Sequence, residues 1–433
     1  MKASFHTFGC KLNFAETSTI ARELARRGVE RAAEGEVPDL CVVNTCSVTE
    51  TADKKCRQLI HRLARQYPGA AIAVTGCYAQ LKAKEIATFP NVAVVAGSAE
   101  KLRLVQFIEQ WMRSGNQQVA AADVTRLRTF DPSCERGDRT RYFLKVQDGC
   151  DCFCSYCTIP YARGRSRSGT IGEMVEQAQR AAREGGKEII LTGVNIGDFG
   201  KGRDDNFFDL IRALDEVEGI DRYRISSIEP DLLSHEIIEW VARQSRAFMP
   251  HFHIPLQCGS DAVLRLMGRR YDTALFADRI RMINDLLPDA FIGVDVIAGA
   301  RGETPERWRE SYGFIESLGI TRLHVFPYSE RPGTRALGLP DAVPVAERHR
   351  RVHDLTALSD ARLQAFSEGQ LGRVRPVLWE RYRGNTLNGL TDNYLRVEAP
   401  VPGGMDPESF TNTITNVRLT AVDGETMTGE HVG

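Results

Sequence analysis

The nine residues Gly149-Cys150-Asp151-Cys152-Phe153-Cys154-Ser155-Tyr156-Cys157 constrain this chain most, because Cys150, Cys154 and Cys157 stand at C-x3-C-x2-C spacing. Thiols so close in sequence share one tight loop, and the flanking chain must fold as a frame around it. Three thiolates can hold three irons of a cubane cluster and leave the fourth iron open to an outside ligand. Zinc sites usually close on four ligands and favour C-x2-C pairs. A zinc knuckle or a redox loop is the bland alternative. Cys152 lies inside the loop as a bystander or a spare ligand.

The frame is legible on both sides of the loop. From Tyr142 onward six strand-like runs (142–147, 188–191, 223–227, 251–255, 291–297 and 322–326) each precede a helical pattern. The helical stretches are 173–184, 207–217, 235–243, 272–286, 305–318 and 346–366. Strand followed by helix six times predicts a partial (β/α)6 barrel with its site at the C-terminal ends of the strands. The cysteine loop begins just after the first strand. The spacing, with Tyr156 just before the last cysteine, resembles the signature of the radical S-adenosylmethionine (SAM) enzymes. That resemblance implies a [4Fe–4S] cluster whose free iron chelates the methionine end of SAM, and whose electron cleaves SAM to a 5′-deoxyadenosyl radical.

Residues 1 to 120 also alternate strand-like and helix-like segments, in βαβαβ order. They predict an open parallel sheet with helices on both faces. Cys10 follows the first strand, Cys46 the second and Cys77 the third, and the carboxyl ends of parallel strands share one rim. A shared metal site is the expectation; three separate half-buried thiols are the alternative. Cys41, within a strand, and Cys56, within a helix, read as packing residues.

Composition narrows the setting. At 433 residues the chain needs two or three domains, and 42% hydrophobic content describes a globular protein. A net charge of −1 gives no bulk electrostatic case for nucleic acid, so RNA binding would rest on local patches. No apolar run reaches membrane-spanning length, and residues 1–9 lack a signal-peptide core. A cytoplasmic location follows as the expectation. In that reducing compartment eleven cysteines point to metal or redox roles.

The segments Thr7-Phe8-Gly9-Cys10-Lys11-Leu12-Asn13, Val43-Asn44-Thr45-Cys46-Ser47-Val48 and Thr75-Gly76-Cys77 resemble the N-terminal domain of the methylthiotransferases. These are radical SAM enzymes with a second, auxiliary [4Fe–4S] cluster. The resemblance implies that Cys10, Cys46 and Cys77 hold that cluster, beside the one on Cys150, Cys154 and Cys157. It implies SAM contacts at Tyr156, Gly193, Asn195, Ser227, Glu229 and Gln257. These lie in or near segments at the barrel rim: Thr192–Asn195, Ser226–Pro230 and the stretch His253–Asp261, where Cys258 replaces the customary serine. His251 and His253 alternate on a strand and are expected to be packed or hydrogen-bonded.

The family mechanism uses SAM twice, once to methylate a sulfur on the auxiliary cluster and once to make the radical that opens a C–H bond. The Gly9–Asn13 segment is most similar to the branch acting on C2 of N6-threonylcarbamoyladenosine at tRNA position 37. Branches acting on isopentenyladenosine 37 or on an aspartate of a ribosomal protein are the alternatives. A tRNA anticodon stem-loop and an electron donor such as flavodoxin or ferredoxin are the implied partners. A non-catalytic iron–sulfur carrier would not need the ordered barrel segments.

Two further readings concern RNA. Arg163, Arg165 and Arg167 follow the cluster loop and either hold phosphates or form a solvated loop. Beyond 370 the chain turns to short strands with Gly, Pro and Asn turns, as in a five-stranded OB-like barrel. Position and pattern are similar to the RNA-binding TRAM domain, with Arg373 and Arg375 as candidate contacts. Residues 371–433 nonetheless hold six arginines, no lysine and eight acidic residues. The expected domains are 1–120, 136–370 and 371–433. Residues 121–141 read as a basic connector, and Cys134 receives no role.

Overall fold

The computed structural model describes residues 1–137 and 139–432. In chain order β1 (Lys2–Thr7), α1 (Lys11–Ala25), β2 (Glu30–Arg31), β3 (Leu40–Thr45), α2 (Glu50–Gln66), β4 (Ala71–Gly76), α3 (Cys77–Ile86), β5 (Val92–Ala96), α4 (Leu104–Ser114) and β6 (Gln118–Ala120) form the first body. Its six strands are parallel in the order β2-β1-β3-β4-β5-β6. Every residue of β3 and β4 is buried, as central strands covered on both faces require. On one face Ile20, Leu24, Leu104 and Ile108 of α1 and α4 pack on the sheet, and on the other Leu59, Ile60, Leu63 and Ile86 of α2 and α3 do so. Cys41 and Cys56 are fully buried within that second core. The helix α3, and the short edge strands β2 and β6, were outside the sequence expectation.

The connector is more than a linker. Its segment β7 (Ser133–Glu135) pairs antiparallel with β8 (Tyr142–Lys145), and Cys134 is buried in the barrel's outer core. After β8 come β9 (Gln147–Asp148), α5 (Ile159–Arg163), β10 (Arg167–Ser168), α6 (Ile171–Arg183), β11 (Glu188–Thr192), α7 (Phe207–Asp215), β12 (Arg222–Ile225), α8 (His235–Arg243), β13 (His251–Gln257), α9 (Asp261–Met267), α10 (Thr273–Leu286), β14 (Phe291–Ala298), α11 (Pro305–Ser317), β15 (Arg322–Pro327) and α12 (Val345–Glu368). The strands β8, β11 and β12 pair in parallel, as do β13, β14 and β15. Single bridges, Tyr223 with Phe248 and Ser227 with His253, join the two sets. The six expected strands thus form one curved sheet. Leu144, Leu191, Ile225, Ile254, Val294 and Leu323 point outward into the helical layer. Phe143, Ile190, Arg224, His253, Asp295 and His324 occupy the alternate positions and face the inside of the curve.

The third body is a closed barrel of β16 (Val374–Arg383), β17 (Thr386–Thr391), β18 (Arg396–Pro400), β19 (Ile414–Asp423) and β20 (Thr426–His431), in the order β16-β17-β18-β20-β19. Trp379 fills its core, with the indole Nε1 donating to Thr415 Oγ1 at 2.8 Å. The strand β20, Thr-Met-Thr-Gly-Glu-His, has too few apolar residues to stand out in the sequence.

This barrel closes the N-terminal end of the (β/α)6 sheet. Arg222 Nη1 donates to Leu390 O at 3.1 Å, and Arg224 donates to Thr391 O at 2.9 Å and Asp392 O at 2.7 Å. Tyr394 packs its ring 4.2 Å from that of His251. The same arginines meet the buried Glu188, with Arg224 Nε 2.8 Å from Oε1. Burial alone would raise the Glu188 carboxyl; Arg224, Arg141 and Arg222 outweigh it and hold it below its ordinary value. Removing one member of such a group leaves charge uncompensated. Arg224→Ala is expected to destabilise the protein by about 3 kcal/mol in a denaturant titration. A loss below about 1 kcal/mol would mean that Arg141 and Arg222 carry Glu188 without it.

Candidate active site

The loop after β9 is held open by backbone geometry. Gly149 has φ +72° and sits against the carbonyls of Gly164 and Arg165, so only glycine fits there. Each of the three spaced thiols receives an N–H donor. Cys152 N lies 3.4 Å from Cys150 Sγ, Ile159 N 3.4 Å from Cys157 Sγ, and Arg269 Nη1 3.1 Å from Cys154 Sγ. Donors aimed at sulfur suit thiolates, and three thiolates suit a [4Fe–4S] cluster with one free iron. Burial pushes the Cys157 thiol up to about 12, with Cys154 adding to it, and burial likewise raises Cys154 against the opposing charge of Arg269. Cys152 is held protonated chiefly by its hydrogen bond to Cys150, which places it beside the triad as a donor to one of its sulfurs.

The N-terminal cysteines converge at the rim of the first sheet. Cys10 caps α1, Cys46 follows β3, and Cys77 starts α3 after Gly76, whose φ of +100° turns the chain. Gly9 presses on Cys46 so closely that a Cβ there would meet Cys46 Cβ at 2.9 Å. Burial pushes Cys46 up to about 12, and the neighbouring Cys77 and Cys10 push it further in the same direction. Mutual repulsion of this kind is what a cation or cluster at the centre would reverse, so this donor set also fits a thiolate-held cluster.

The two triads face each other. Thr158 follows Cys157, Ser47 follows Cys46, and Thr158 Oγ1 donates to Ser47 O at 3.2 Å. On the other side of the opening Arg331 donates to Ser47 Oγ at 2.8 Å and pairs with Asp53 at 2.7 Å. The first body therefore covers the open side of the curved sheet, between β8 and β15.

The expected SAM contacts lie along the strand ends beside the loop. Gln147 is fully buried and ties the turn after β11 to it: its amide nitrogen donates to Gly149 O at 2.7 Å, while Oε1 accepts from Val194 N at 2.9 Å and Asn195 N at 2.8 Å. Gly193 lies against Gln147, leaving no room for a side chain. Asn195 is buried, and its Oδ1 has no hydrogen-bond partner among the described residues. Ser227 pairs with His253 at the end of the third strand, and Gln257 adopts φ +70° at a bulge at the end of β13. Glu229 pairs with Arg269; burial raises its carboxyl and Arg269 opposes the shift. Tyr156 is half-buried beside the same arginine, and desolvation holds its phenol well above its ordinary value.

Arg269 was not anticipated. It bonds Cys154, Glu229 and, at 3.0 Å, the hydroxyl of Tyr271, which donates to Pro255 O at 2.7 Å and Leu256 O at 2.9 Å. One guanidinium thus joins the loop to the third and fourth strands. In sequence Arg269-Arg270 after a helix looks like a solvated pair. Gln147 carried no signal either, and neither did the cluster of His253, Asp295 and His324 on the inner wall, where His253 Nε2 lies 2.8 Å from Asp295 Oδ1. Cys258 is buried, 3.4 Å from Ser311 Oγ, as a packing residue.

The arginine readings need correction. Arg163 is 2% exposed, with Nη1 3.0 Å from Glu16 Oε1 and 2.9 Å from Asp148 Oδ1, and Nη2 bonded to Asn13. Both Nη atoms are thus engaged by buried groups of the protein. Arg167 is mostly buried against Asp148 at 3.0 Å. Arg375 is buried between Asp289 and Asp392, and Arg373 also pairs with Asp289. Only Arg165 of the five is both exposed and loosely held, over the Phe153 ring and 3.5 Å from Asp151. Arg163→Ala should cost about 3–5 kcal/mol of stability by stranding Glu16 and Asp148, whereas Arg165→Ala should change stability by less than about 1 kcal/mol. Thermal unfolding of the two variants side by side checks this; equal effects would refute the distinction.

Two family models match the chain: Uncharacterized protein family UPF0004 over residues 2–97 and the Radical SAM superfamily over residues 144–315. The threonylcarbamoyladenosine tRNA methylthiotransferase MtaB of Bacillus subtilis is 40% identical over 91% of this chain and 89% of its own length. Its counterpart in Aquifex aeolicus is 34% identical over 92% and 96%. A tRNA-2-methylthio-N(6)-dimethylallyladenosine synthase from Pelotomaculum thermopropionicum is 32% identical over 86% and 85%. Among solved structures, the radical SAM methyltransferase TsrM of Kitasatospora setae shares the fold, with a TM-score of 0.55 at 15% identity over 77% of this chain and 76% of its own. With its cysteine triads, its barrel rim and relatives of this similarity along nearly its whole length, the chain belongs to the radical SAM tRNA methylthiotransferases, enzymes that use SAM and a [4Fe–4S] cluster.

Proposed function

We propose that this enzyme inserts a methylthio group at C2 of N6-threonylcarbamoyladenosine 37 of tRNA, with two [4Fe–4S] clusters. Cys150, Cys154 and Cys157 hold one, and Cys10, Cys46 and Cys77 hold the auxiliary one. The single observation that carries this is the hydrogen bond between Thr158 and Ser47, which brings the residue after one cysteine of each triad into contact. Such proximity serves a reaction in which a radical made at one site must reach a carbon next to sulfur held at the other. Bound together, the cluster and SAM supply a 5′-deoxyadenosyl radical, which a C–H bond without acidic proton or leaving group requires.

The chain's own residues supply position and shelter. Arg269 and Gln147 fix the loop relative to the strand ends, so Tyr156, Gly193, Asn195, Ser227, Glu229 and Gln257 can take SAM along one rim. The first sheet covers the open side and the C-terminal barrel closes the floor, which keeps water from a reactive carbon. The threonylcarbamoyl substrate is favoured by the activity for which the relatives at 40% and 34% identity are named. Three domains, 1–120, 136–370 and 371–433, divide the work, the last as an RNA-binding TRAM domain. The enzyme acts in the cytoplasm with a flavodoxin or ferredoxin as electron donor; no helix among the described residues is long and apolar enough to cross a membrane.

RNA contact on the C-terminal barrel falls to Arg381, Tyr382 and Arg383, an exposed run on β16. Neither Arg381 nor Arg383 has an ion-pair partner among the described residues. These side chains replace Arg373 and Arg375, whose charge is engaged.

Anaerobically reconstituted protein should carry about eight irons, falling to about four in Cys46→Ala or Cys154→Ala. Given a reductant, Cys46→Ala should still form 5′-deoxyadenosine and deliver no methylthio group, whereas Cys154→Ala should form neither product. Methylthiolation by Cys46→Ala would refute the auxiliary site. Mass spectrometry of tRNA nucleosides from cells lacking the gene identifies the substrate: loss of the 2-methylthio form of isopentenyladenosine instead would overturn the threonylcarbamoyl reading. The double variant Arg381→Ala/Arg383→Ala should lower the slope of log binding constant against log salt by roughly 1 for each lost phosphate contact. An unchanged slope would remove this run from the RNA surface.

A further inference from the structure

Lys11 directly follows Cys10 at the start of α1. It lies one turn before Phe14 and Ala15, so all three share a helix face. That face is turned to the inner wall of the curved sheet, where Ala15 packs on Phe143 and Ile190, and the Phe14 ring meets Phe143 edge-on at 5.3 Å. Lys11 is half-buried there and lines a crevice of about 650 Å³ that also contains Cys10 and Phe143.

Of the other cations at this crevice, Arg136 and Arg139 lie over the rings of Tyr142, Phe14 and Phe143, and the cations deeper in the wall are paired. Lys101, Lys145 and Arg163 are paired with Glu16 or Asp148, and Arg141, Arg222 and Arg224 with Glu188. Asp295 is held by His253. Among the described residues the Lys11 ammonium has neither a hydrogen bond nor an ion pair. Burial first, and Lys11 among the neighbouring cations, hold His251 and His324 below the ordinary imidazole range. Burial would push the Tyr394 phenol up, but Lys11, Arg141 and Arg224 outweigh it. Among the described residues the carboxylates at this crevice, Glu135 and Glu184, are bonded to Arg22 and Arg180 and to the Tyr142 hydroxyl, so neither meets the Lys11 ammonium. The end of α1 adds to this, since its first turn holds no acidic residue and Cys10 provides no side-chain cap.

We propose that Lys11 is the specificity residue that receives the free carboxylate of the threonylcarbamoyl group. This rests on the threonylcarbamoyl reading above. The chemistry separates substrates sharply: a threonylcarbamoyl side chain ends in a carboxylate, an isopentenyl one is all hydrocarbon and would leave the half-buried ammonium without a partner. Lys11 thereby anchors the substituent on N6 beside Cys10, where C2 of the same ring must come to rest.

The test uses reconstituted enzyme and two anticodon stem-loops, one with the threonylcarbamoyl carboxylate free and one with it capped as the primary amide. Wild type should bind and turn over the acid better by about 10-fold to 100-fold, the range of one charge-assisted hydrogen bond. Lys11→Gln should lose that preference by raising KM for the acid and leaving KM for the amide in place, and Lys11→Arg should restore most of it. Equal losses on acid and amide would show that Lys11 serves the cysteine site instead, and would overturn the proposal. So would equal affinity of wild type for the two stem-loops, a result that needs no variant. If wild type methylthiolates neither stem-loop, the threonylcarbamoyl reading itself fails, and that outcome is distinct from both.

Discussion

The buried ion network around Arg163 is what the rest of the structure depends on. Arg163 follows the cluster loop on α5, Asp148 precedes it on β9, Lys145 lies on β8, and Glu16 and Lys101 come from the first body. Burial alone would raise the Glu16 carboxyl. Arg163, Lys101 and Lys145 overcome this and hold it at about 2, and Lys145, Arg163 and Arg167 likewise hold Asp148 well below the carboxylate range. Both acids are thus ionised, and the cations between them hold two folding units in one orientation. Such a network contributes little net stability compared with an apolar core, but it is unforgiving of displacement. That intolerance suits the task. Cys77 counts Arg163 and Lys101 among its nearest charges, so the network fixes the rim of the first sheet against the loop that carries Cys157.

A curved sheet of six strands cannot close on itself as eight strands do, so it needs partners for its open side and its floor. The solutions differ in character. The open side is covered by α1 and by the turn after β3, through polar and ionic contacts such as Arg331 with Asp53 and Ser47. The floor is closed through backbone carbonyls of the C-terminal barrel, which accept from Arg222 and Arg224 while those arginines also neutralise Glu188. A carbonyl fixes a guanidinium without adding charge, so these arginines are held in place by barrel backbone as well as by Glu188.

Much of this was legible in the sequence, for physical reasons. Parallel strands buried on both faces are nearly continuous apolar runs, so Leu40–Thr45 and Ala71–Gly76 declared themselves. Cysteines placed just after such runs could be assigned to one rim without any local motif. Arg163 was misjudged because its partners lie 147 and 15 residues away, and alternate arginines after a glycine-rich loop look the same whether solvated or buried. Arg269 and Gln147 were missed for the same reason: their work is done by geometry between elements. The strand β7 is three residues long, too short for a period of two to register. Arg375 read as an exposed charge on an RNA surface, although Asp289, on the loop before β14, had already engaged it.

The thiol chemistry links the folding of the chain to its cofactor chemistry. Burial drives Cys46 and Cys157 up to about 12, and each is raised further by a cysteine of its own triad. Near neutral pH these are neutral thiols, and a thiol must lose its proton to bind iron. Cluster loading at either triad is therefore coupled to proton release and is weakened as pH falls. The fold meets part of that cost in advance. It aims backbone N–H groups at Cys150 and Cys157 and a guanidinium at Cys154, all of which favour the thiolate. Cys46, hemmed in by Gly9, likewise receives a backbone N–H, that of Val48, against the neighbouring Cys77, Cys10 and Cys56. The Arg163 network adds positive charge near Cys77 from across the boundary between the two units, which favours the thiolate there.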